Sequence, residues 1–319
     1  MDCKKGFVNI TLTAKNDDAG RRLDRILRKA LEHVPLSALH RLLRKGQVLV
    51  NGKTGRGDMR IPEGAVIELP LPEEEAPAGP GKSAYRKQNK PDILCEGGGL
   101  LILNKPSGLA VHGGGNSADN LNKRVLEYLK GKLPDSLSFK PGPLNRLDKP
   151  ASGIVVFALS LEGAQWFSAL LREGKIRRYY RAILEGTLQK SEIWEDMLYR
   201  DKEARKTFVA GKLTPDILPK KALTYATPIA WGKRNGLPYT FARLEIITGR
   251  THQIRAQAAA NGFPLAGDRK YGGKPFMRNG FFLHSSEMEI PPGLPSPIKA
   301  PLPENFAMTV KELFGILDQ

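Results

Sequence analysis

The sequence predicts an α+β protein: a main domain on a largely antiparallel mixed sheet flanked by helices, preceded by a small N-terminal α/β module. Three observations predict it. From residue 91 onward, strand-like segments follow one another across short turns while helical segments are fewer, which favours α+β over a doubly wound parallel sheet. Residues 20–70 carry two short amphipathic helices and a hairpin signal. Between these regions, "LPEEEAPAGPGKSAYRKQNK" at 71–90 is rich in Pro, Gly, Ala and charge, has little to bury, and reads as a linker. The expected organisation is therefore a module at 1–70, a linker at 71–90 and a main domain at 91–319, with no internal repeat.

Taken in order, Phe7 to Leu12 reads as an edge strand. In "RRLDRILRKALEHVPLSALHRLLRKGQVLVNGK", Leu23, Ile26, Leu27, Ala30 and Leu31 recur at helical spacing and share one face. Pro35 interrupts, Ser37 can cap, and Leu39, Leu42 and Leu43 form a second short face that Gly46 ends. "QVLVNGK" alternates and turns at Asn51-Gly52, as a hairpin does, before the closing strand "GAVIELP". Beyond the linker, strand-like and helix-like segments alternate: "GLLILNKPSGLAVH", "GIVVFALS", "EGAQWFSALLREG", "RRYYRAILEG", "FARLEIITG" and "THQIRAQAAANG". The last opens a helix near Thr251 that Asn261-Gly262 stops.

At 319 residues, with 40% hydrophobic and 26% charged, the chain has an ordinary globular composition and enough length for a sizeable core. Its charge is not ordinary. A formal +17 and a pI near 9.8 point to a polyanionic partner, nucleic acid ahead of an acidic membrane surface, against the plainer reading of a basic surface with no partner. Cys3 and Cys95, far apart, suggest neither a disulfide framework nor a zinc site, and no metal is expected. The N-terminus lacks an apolar run of signal-peptide length, and no segment approaches the roughly 18 apolar residues of a membrane span. The expected location is the cytoplasm, without membrane association. "GKS" at Gly81 to Ser83 approximates a phosphate-binding loop, but the required earlier glycine is Ala76 and no strand precedes it. No nucleotide cofactor is expected.

Away from the apolar stripes of the N-terminal module lie Arg21, Arg22, Arg25, Arg28, Lys29, Arg41, Arg44 and Lys45, opposed by few acids. A charge run is ordinarily a solvated face. Two short helices carrying one sign suit phosphate contact better. The stretch resembles the small RNA-binding module named after ribosomal small-subunit protein four, in its two short helices, the "LLRKGQVLVNGK" run and the closing strand. The resemblance makes RNA binding the better reading.

"PLNRLDKPASGIVVFALS" sets the polar knot Asn145-Arg146-Leu147-Asp148-Lys149 against the buried-strand pattern Ile154-Val155-Val156-Phe157. Taken alone, Asp148 reads as a surface carboxylate paired with Arg146 or Lys149. Arg250, His252, Gln253 and Arg255 crowd the first turns of the later helix, and Arg255 lies one turn from His252, so the two can face the same way. An anion site and a structural ion pair are both open there. Alternation puts Tyr180, Ala182 and Leu184 on one side of a strand, where a tyrosine is ordinarily core.

Together, "LNKPSGLAVH", "NRLDKPASG", "RYYRAILEG", "KKALTYATPI", "GRTHQIRAQ", "FPLAGDRKYGG" and "FFLHSSEMEI" occur in an order and spacing that resembles the RluA-type pseudouridine synthases, from about 91 to 310. The resemblance implies isomerisation of uridine to pseudouridine in RNA, by breaking an N-glycosidic bond and forming a C-glycosidic one. It implies that Asp148 is the catalytic aspartate and that Arg146, beside Asn145, fills the gap left by the extruded base. It further implies that Tyr180 packs against that base and that Arg255 pairs with Asp148, with Arg250, His252 and Gln253 supporting the site. An arginine beside a carboxylate aims it and favours its charged form. Three positions depart from the family pattern: Asn145 where His is usual, Ala151 where Thr is usual, and Gln257 where His often follows "HQIR".

The expected partner is RNA, ribosomal by family analogy, and the protein is expected to act as a monomer without a cofactor. Competing readings are a synthase acting on transfer RNA, and a ribosome-assembly or other RNA-binding protein that keeps the fold without turnover. A nucleoside hydrolase is a third, but it wants two carboxylates across the bond where these motifs offer one.

Overall fold

Local pairing of short apolar stripes builds the first part of the protein. The structure, a computed structural model, describes residues 7–72, 90–113, 119–133, 136–211, 218–277 and 280–316. Most of the expected linker, the Gly81 to Ser83 near miss and Cys3 lie outside the described residues. The elements run β1 (Phe7–Thr13), α1 (Leu23–Ala30), α2 (Leu36–Arg44), β2 (Leu49–Val50), β3 (Lys53–Thr54), β4 (Val66–Pro72), β5 (Ile93–Gly97), β6 (Leu100–Lys105) and α3 (Leu121–Leu129). They continue with β7 (Gly142–Pro143), β8 (Ser152–Ala158), α4 (Leu161–Arg172), β9 (Arg177–Glu185), β10 (Glu192–Asp201), β11 (Lys206–Val209), β12 (Lys220–Arg234), β13 (Leu237–Ile246), α5 (Gln253–Ala260), β14 (Leu283–Glu289), β15 (Ile298–Lys299) and α6 (Glu304–Phe314). None of the described helices is long and apolar enough to cross a membrane.

The chain divides into two compact units, Met1–Asn89 with Leu126–Gly142 and Ala158–Ala164, and Lys90–Val125 with Pro143–Phe157 and Gln165–Gln319. In the first, β1-β4-β2-β3 form a small antiparallel sheet with β1 at its edge. Asn51 and Gly52 both have positive φ, 50° and 75°, which gives the two-residue hairpin loop its twist. Leu23, Ile26 and Leu27 of α1 and Leu39 and Leu42 of α2 are buried over Ile67, Leu69 and Leu71 of β4. Helices this short are marginal alone, so this packing is what holds them. Ser37 does not cap: α2 opens at Leu36 directly behind Pro35, placing Ser37 inside the first turn.

A buried carboxylate explains why the first unit recruits later chain. Asp18, fully buried, accepts from Leu137 N (3.0 Å), Ser138 N (2.9 Å), Ser136 Oγ (3.0 Å), Lys15 N (2.9 Å) and the Ser138 hydroxyl. Burial works against its charge, but these donors, led by the Ser138 hydroxyl, outweigh it and lower its pKa. Asp17 likewise accepts from Leu161 N at 3.0 Å.

The second unit is built on a mixed sheet of order β11-β10-β12-β13-β9-β14-β8-β6-β5, with β15 on β14 and β7 on β8. The β10–β11, β10–β12, β12–β13, β13–β9, β14–β9 and β5–β6 pairs are antiparallel, and β14–β8 is parallel. This is the α+β, largely antiparallel mixed sheet that the sequence predicts. Both faces of its centre are covered. Tyr180, Ala182 and Leu184 of β9 pack with Ile254 and Ala258 of α5, while Ile183 packs with Phe241, Phe306 and Val310 on the α6 side. Burial on both faces is why "RAILE" and "GIVVFA" read as continuous apolar runs rather than alternating ones.

Candidate active site

The loop before β8 is pinned at every turn. Asn145 donates its amide to Ile154 O (3.2 Å) and accepts from Val156 N (2.8 Å), so its side chain serves as a strand partner for β8. Ala151 N donates to Asp148 O (3.1 Å), which closes the turn. Lys105, fully buried, donates to Pro106 O (2.9 Å), Leu109 O (2.7 Å) and Lys149 O (3.3 Å). Burial pulls its pKa down to about 8 against the attraction of Asp148, so at neutral pH it remains the three-fold donor these carbonyls need. His284 donates from Nε2 to Ala300 O (3.1 Å), which leaves Nδ1 to accept from the Ser152 hydroxyl (2.9 Å). At Gly153, with φ 106°, a Cβ would run into the Ser285 backbone, so only glycine fits. Ser285 pairs with both Gly153 and Tyr180, and this register sets Tyr180 level with the exit of the Asp148 loop.

On the other side, α5 brings its first turn to the same place. Arg255 donates from Nη1 to Asp148 Oδ2 at 2.8 Å, and from Nε and Nη2 to Asp268 at 2.7 and 2.8 Å. Its guanidinium also lies over the rings of Phe281 and Tyr271, 4.5 and 4.8 Å from their centroids. Burial opposes the cation, but Asp268 first and Asp148 second outweigh it and raise its pKa. Asp268 therefore fixes the arginine that aims Asp148, which leaves Asp148 Oδ1 toward the cavity.

His252 faces that oxygen, its Nε2 3.6 Å from Asp148 Oδ1. The Arg200 guanidinium, which can only donate, approaches His252 Nδ1 at 3.4 Å, so that nitrogen is an acceptor. It takes the proton of the Tyr271 hydroxyl (2.8 Å), which itself accepts from Thr207 N (2.8 Å). The hydrogen bonds thus assign the Nε2–H tautomer, pointing at Asp148. Burial first, then Arg255, Arg200 and Lys270, push the imidazole down to about 4 despite the pull of Asp148. It is neutral at pH 7. His252 also takes the left-handed conformation, φ 54°, at the start of α5, a strained position for a non-glycine residue. Gln253 holds this turn: it accepts from Thr248 Oγ1 (2.7 Å) and Arg250 N (3.0 Å) and donates to Leu223 O (3.1 Å) and Thr224 Oγ1 (3.0 Å).

These groups line a cavity of about 350 Å³ with Arg146, Arg178, Tyr180 and Arg250. Arg146 and Arg250 are exposed, Arg178 is half-buried and Tyr180 is buried. Burial pushes the Tyr180 hydroxyl up, opposed by Arg178 and by a hydrogen bond with Ser285. Asn145, Arg146, Asp148, Tyr180, Arg250, His252, Gln253 and Arg255 all meet here. Of the three family departures, Ala151 is buried core, and Gln257 bridges Thr224 Oγ1 (2.8 Å), Trp194 O (2.8 Å) and Asp196 Oδ2 (2.7 Å). The geometry adds Asp268, Tyr271 and Lys105. All three sit inside quoted motifs, "FPLAGDRKYGG" and "LNKPSGLAVH", but nothing in the spacing said what they touch.

In the first unit, Arg21, Arg25, Arg28 and Lys29 line a groove of about 860 Å³ with Glu32 and His33. Arg22, Arg41, Arg44 and Lys45 are not among its lining residues. Arg21 is partly spent on Ser138 O and Oγ, both at 2.8 Å, and Arg22 on Asp24 at 2.7 Å.

A family model described as RNA pseudouridylate synthase matches residues 99–260. The ribosomal large subunit pseudouridine synthase C of Haemophilus ducreyi is 30% identical over 87% of this chain and 86% of its own. That of Vibrio vulnificus is 29% identical over 93% and 94%. Among solved structures, human RNA pseudouridylate synthase domain containing 1 superposes with a TM-score of 0.56 at 22% identity, covering 74% of this chain and 94% of that one.

Proposed function

The chain belongs to the RNA pseudouridylate synthase family, and on that premise we propose that it isomerises uridines of large-subunit ribosomal RNA through Asp148. One observation carries the reading: a carboxylate oxygen, Asp148 Oδ1, faces a nucleotide-sized cavity while its other oxygen is fixed by Arg255, itself anchored twice to buried Asp268. The relatives' names supply the substrate class.

A uracil inside a helix cannot be reached or turned, so the nucleotide is flipped out, at about a few kcal/mol. Arg146, exposed at the cavity mouth, is the group we assign to the gap, because a guanidinium stacks on bases and binds phosphate. Asp148 then either attacks C1′ or removes a proton from the ribose. Tyr180 supplies the floor on which the freed base turns and assists loss of the C5 proton. His252, neutral with Nε2–H toward Asp148 Oδ1, keeps the carboxylate solvated on its reacting side. Asn145, Arg250 and Gln253 act at one remove, by holding the two loops.

We assign RNA holding to the N-terminal module, 1–70, with Arg21, Arg25, Arg28 and Lys29 as the core of its surface. We expect the enzyme to act as a monomer, in the cytoplasm where the proposed ribosomal RNA substrate is assembled.

The test is pseudouridine mapping by carbodiimide-blocked primer extension on ribosomal and transfer RNA from cells lacking the gene. Large-subunit sites should vanish and return with wild type but not with Asp148→Asn. Return with Asp148→Asn would refute the mechanism. Loss confined to transfer RNA would refute the substrate.

A further inference from the structure

We propose that Arg178 carries the negative charge of the uracil while it is detached from the ribose, and is therefore a further catalytic residue of the reaction. The inference rests on the uridine-isomerase reading above. It starts from strand geometry. Arg178 and Tyr180 are two apart on β9, so both side chains leave the same face of the sheet. Positions i and i+2 lie about 6.6 Å apart along a strand, roughly the breadth of a pyrimidine. A uracil lying on Tyr180 thus turns an edge to the Arg178 guanidinium.

The guanidinium is placed for this and is otherwise little used. It sits beneath the turn that follows β13, where Nη2 donates to Ile247 O at 3.3 Å. A Cβ at Gly249 would stand 3.1 Å from Nη1, so glycine keeps room for it. Its Nε is enclosed and has no partner. Among the described residues no carboxylate stands in ion-pair distance of it. The other cations of the cavity differ. Arg255 is neutralised by two carboxylates, and Arg146 and Arg250 are exposed to water.

Both routes open to Asp148 make the same demand. The C1′–N1 bond breaks and its electron pair stays on the base, spread over N1, O2 and O4. On the sugar, either Asp148 Oδ1 bonds to C1′ or it takes the C2′ proton. After the base turns, C5 supplies the pair for the new bond to C1′. Asp148 then leaves C1′ or returns the proton to C2′, and as the C5 proton departs, N1 is protonated. Nothing is consumed. The anion exists only between the two bond changes, so a fixed cation there favours that state over bound uridine. The pull Arg178 exerts on the neighbouring Tyr180 hydroxyl has the sign this requires.

The test uses full-length enzyme in excess over an in vitro transcript of large-subunit ribosomal RNA labelled with tritium at uridine C5, and reads tritium release in a single turnover. Arg178→Gln keeps a donor for Ile247 O and removes the charge. It should slow release by about 100-fold or more while RNA affinity stays within about threefold, and Arg178→Lys should recover at least about tenfold. The same transcript made with 5-fluorouridine provides the readout a merely structural role would not move. Fluorine stabilises the anion on the base, so consumption of 5-fluorouridine should fall by no more than about tenfold in Arg178→Gln. Equal falls on both transcripts, or an unimpaired Arg178→Gln, overturn the assignment while leaving the isomerase reading intact. Wild type inert on both transcripts overturns that reading and this inference with it.

Discussion

Replacing Asp268 with Asn should cost far more stability than replacing Asp148 with Asn, although Asp148 is the residue assigned to the chemistry. The Asp268 side chain is 2% exposed and that of Asp148 25%, with the shared Arg255 at 8%. Asp268→Asn removes a buried charge and sets an amide NH2 against one of the two Arg255 nitrogens. Removing one partner of a buried pair costs about 3–5 kcal/mol. Arg255 keeps Asp148, so the lower end, about 3 kcal/mol, is expected. Asp148→Asn breaks one bond at a partly exposed site and should cost about 1 kcal/mol or less. Activity should rank the other way. Asp148→Asn should be inert, whereas Asp268→Asn should turn over about 100-fold more slowly, the effect of a misaimed but present carboxylate. Urea unfolding of the full chain and single-turnover tritium release read the two quantities. A near-neutral Asp268→Asn, or an Asp148→Asn that loses more stability than it, would show that Asp268 does not anchor the site.

Three further outcomes follow from the geometry. His252 is held at about 4 against 6.5 in a model peptide, so between those values the unfolded chain binds a proton that the native one does not. This group should contribute no pH dependence above pH 6.5 and should lower stability by up to about 3 kcal/mol as pH drops to 4. His252→Gln should lose that part of the fall in urea midpoints, and an unchanged pH profile would count against the buried neutral imidazole. Gly153→Ala should destabilise by more than about 3 kcal/mol or fail to fold, because of its φ and the Ser285 backbone; a soluble variant with a wild-type thermal midpoint would contradict the packing. Arg25→Ala with Arg28→Ala should flatten the salt dependence of RNA binding by about 0.7–0.9 of slope per lost contact. Arg41→Ala with Arg44→Ala, outside the groove, should do less, and equal effects would place the RNA elsewhere.

The sequence alone determined the α+β class, the two N-terminal helices, the Asn51-Gly52 hairpin and the face shared by Tyr180, Ala182 and Leu184, because each follows from local periodicity and turn chemistry. It also brought forward Asp148 and Arg255, through motifs whose order carries the family. α3 and α6 were less legible: their apolar stripes are short, and α6 is fixed by packing on Phe241 and Phe282, which lie far away in sequence. Only the tertiary structure decided that Asp268 anchors Arg255, that Arg200 and Tyr271 set the His252 tautomer, that Asn145 spends its amide on strand backbone, and that Gln257 joins Thr224, Trp194 and Asp196. These contacts span 9 to 63 residues of chain, and hydrogen-bond partners at such separations leave no periodic trace. The same holds for the N-terminal cations. Charge counting treats eight of them alike, whereas folding puts four into one groove and ties Arg21 to Ser138, because which face a side chain occupies is settled by what the helix packs against.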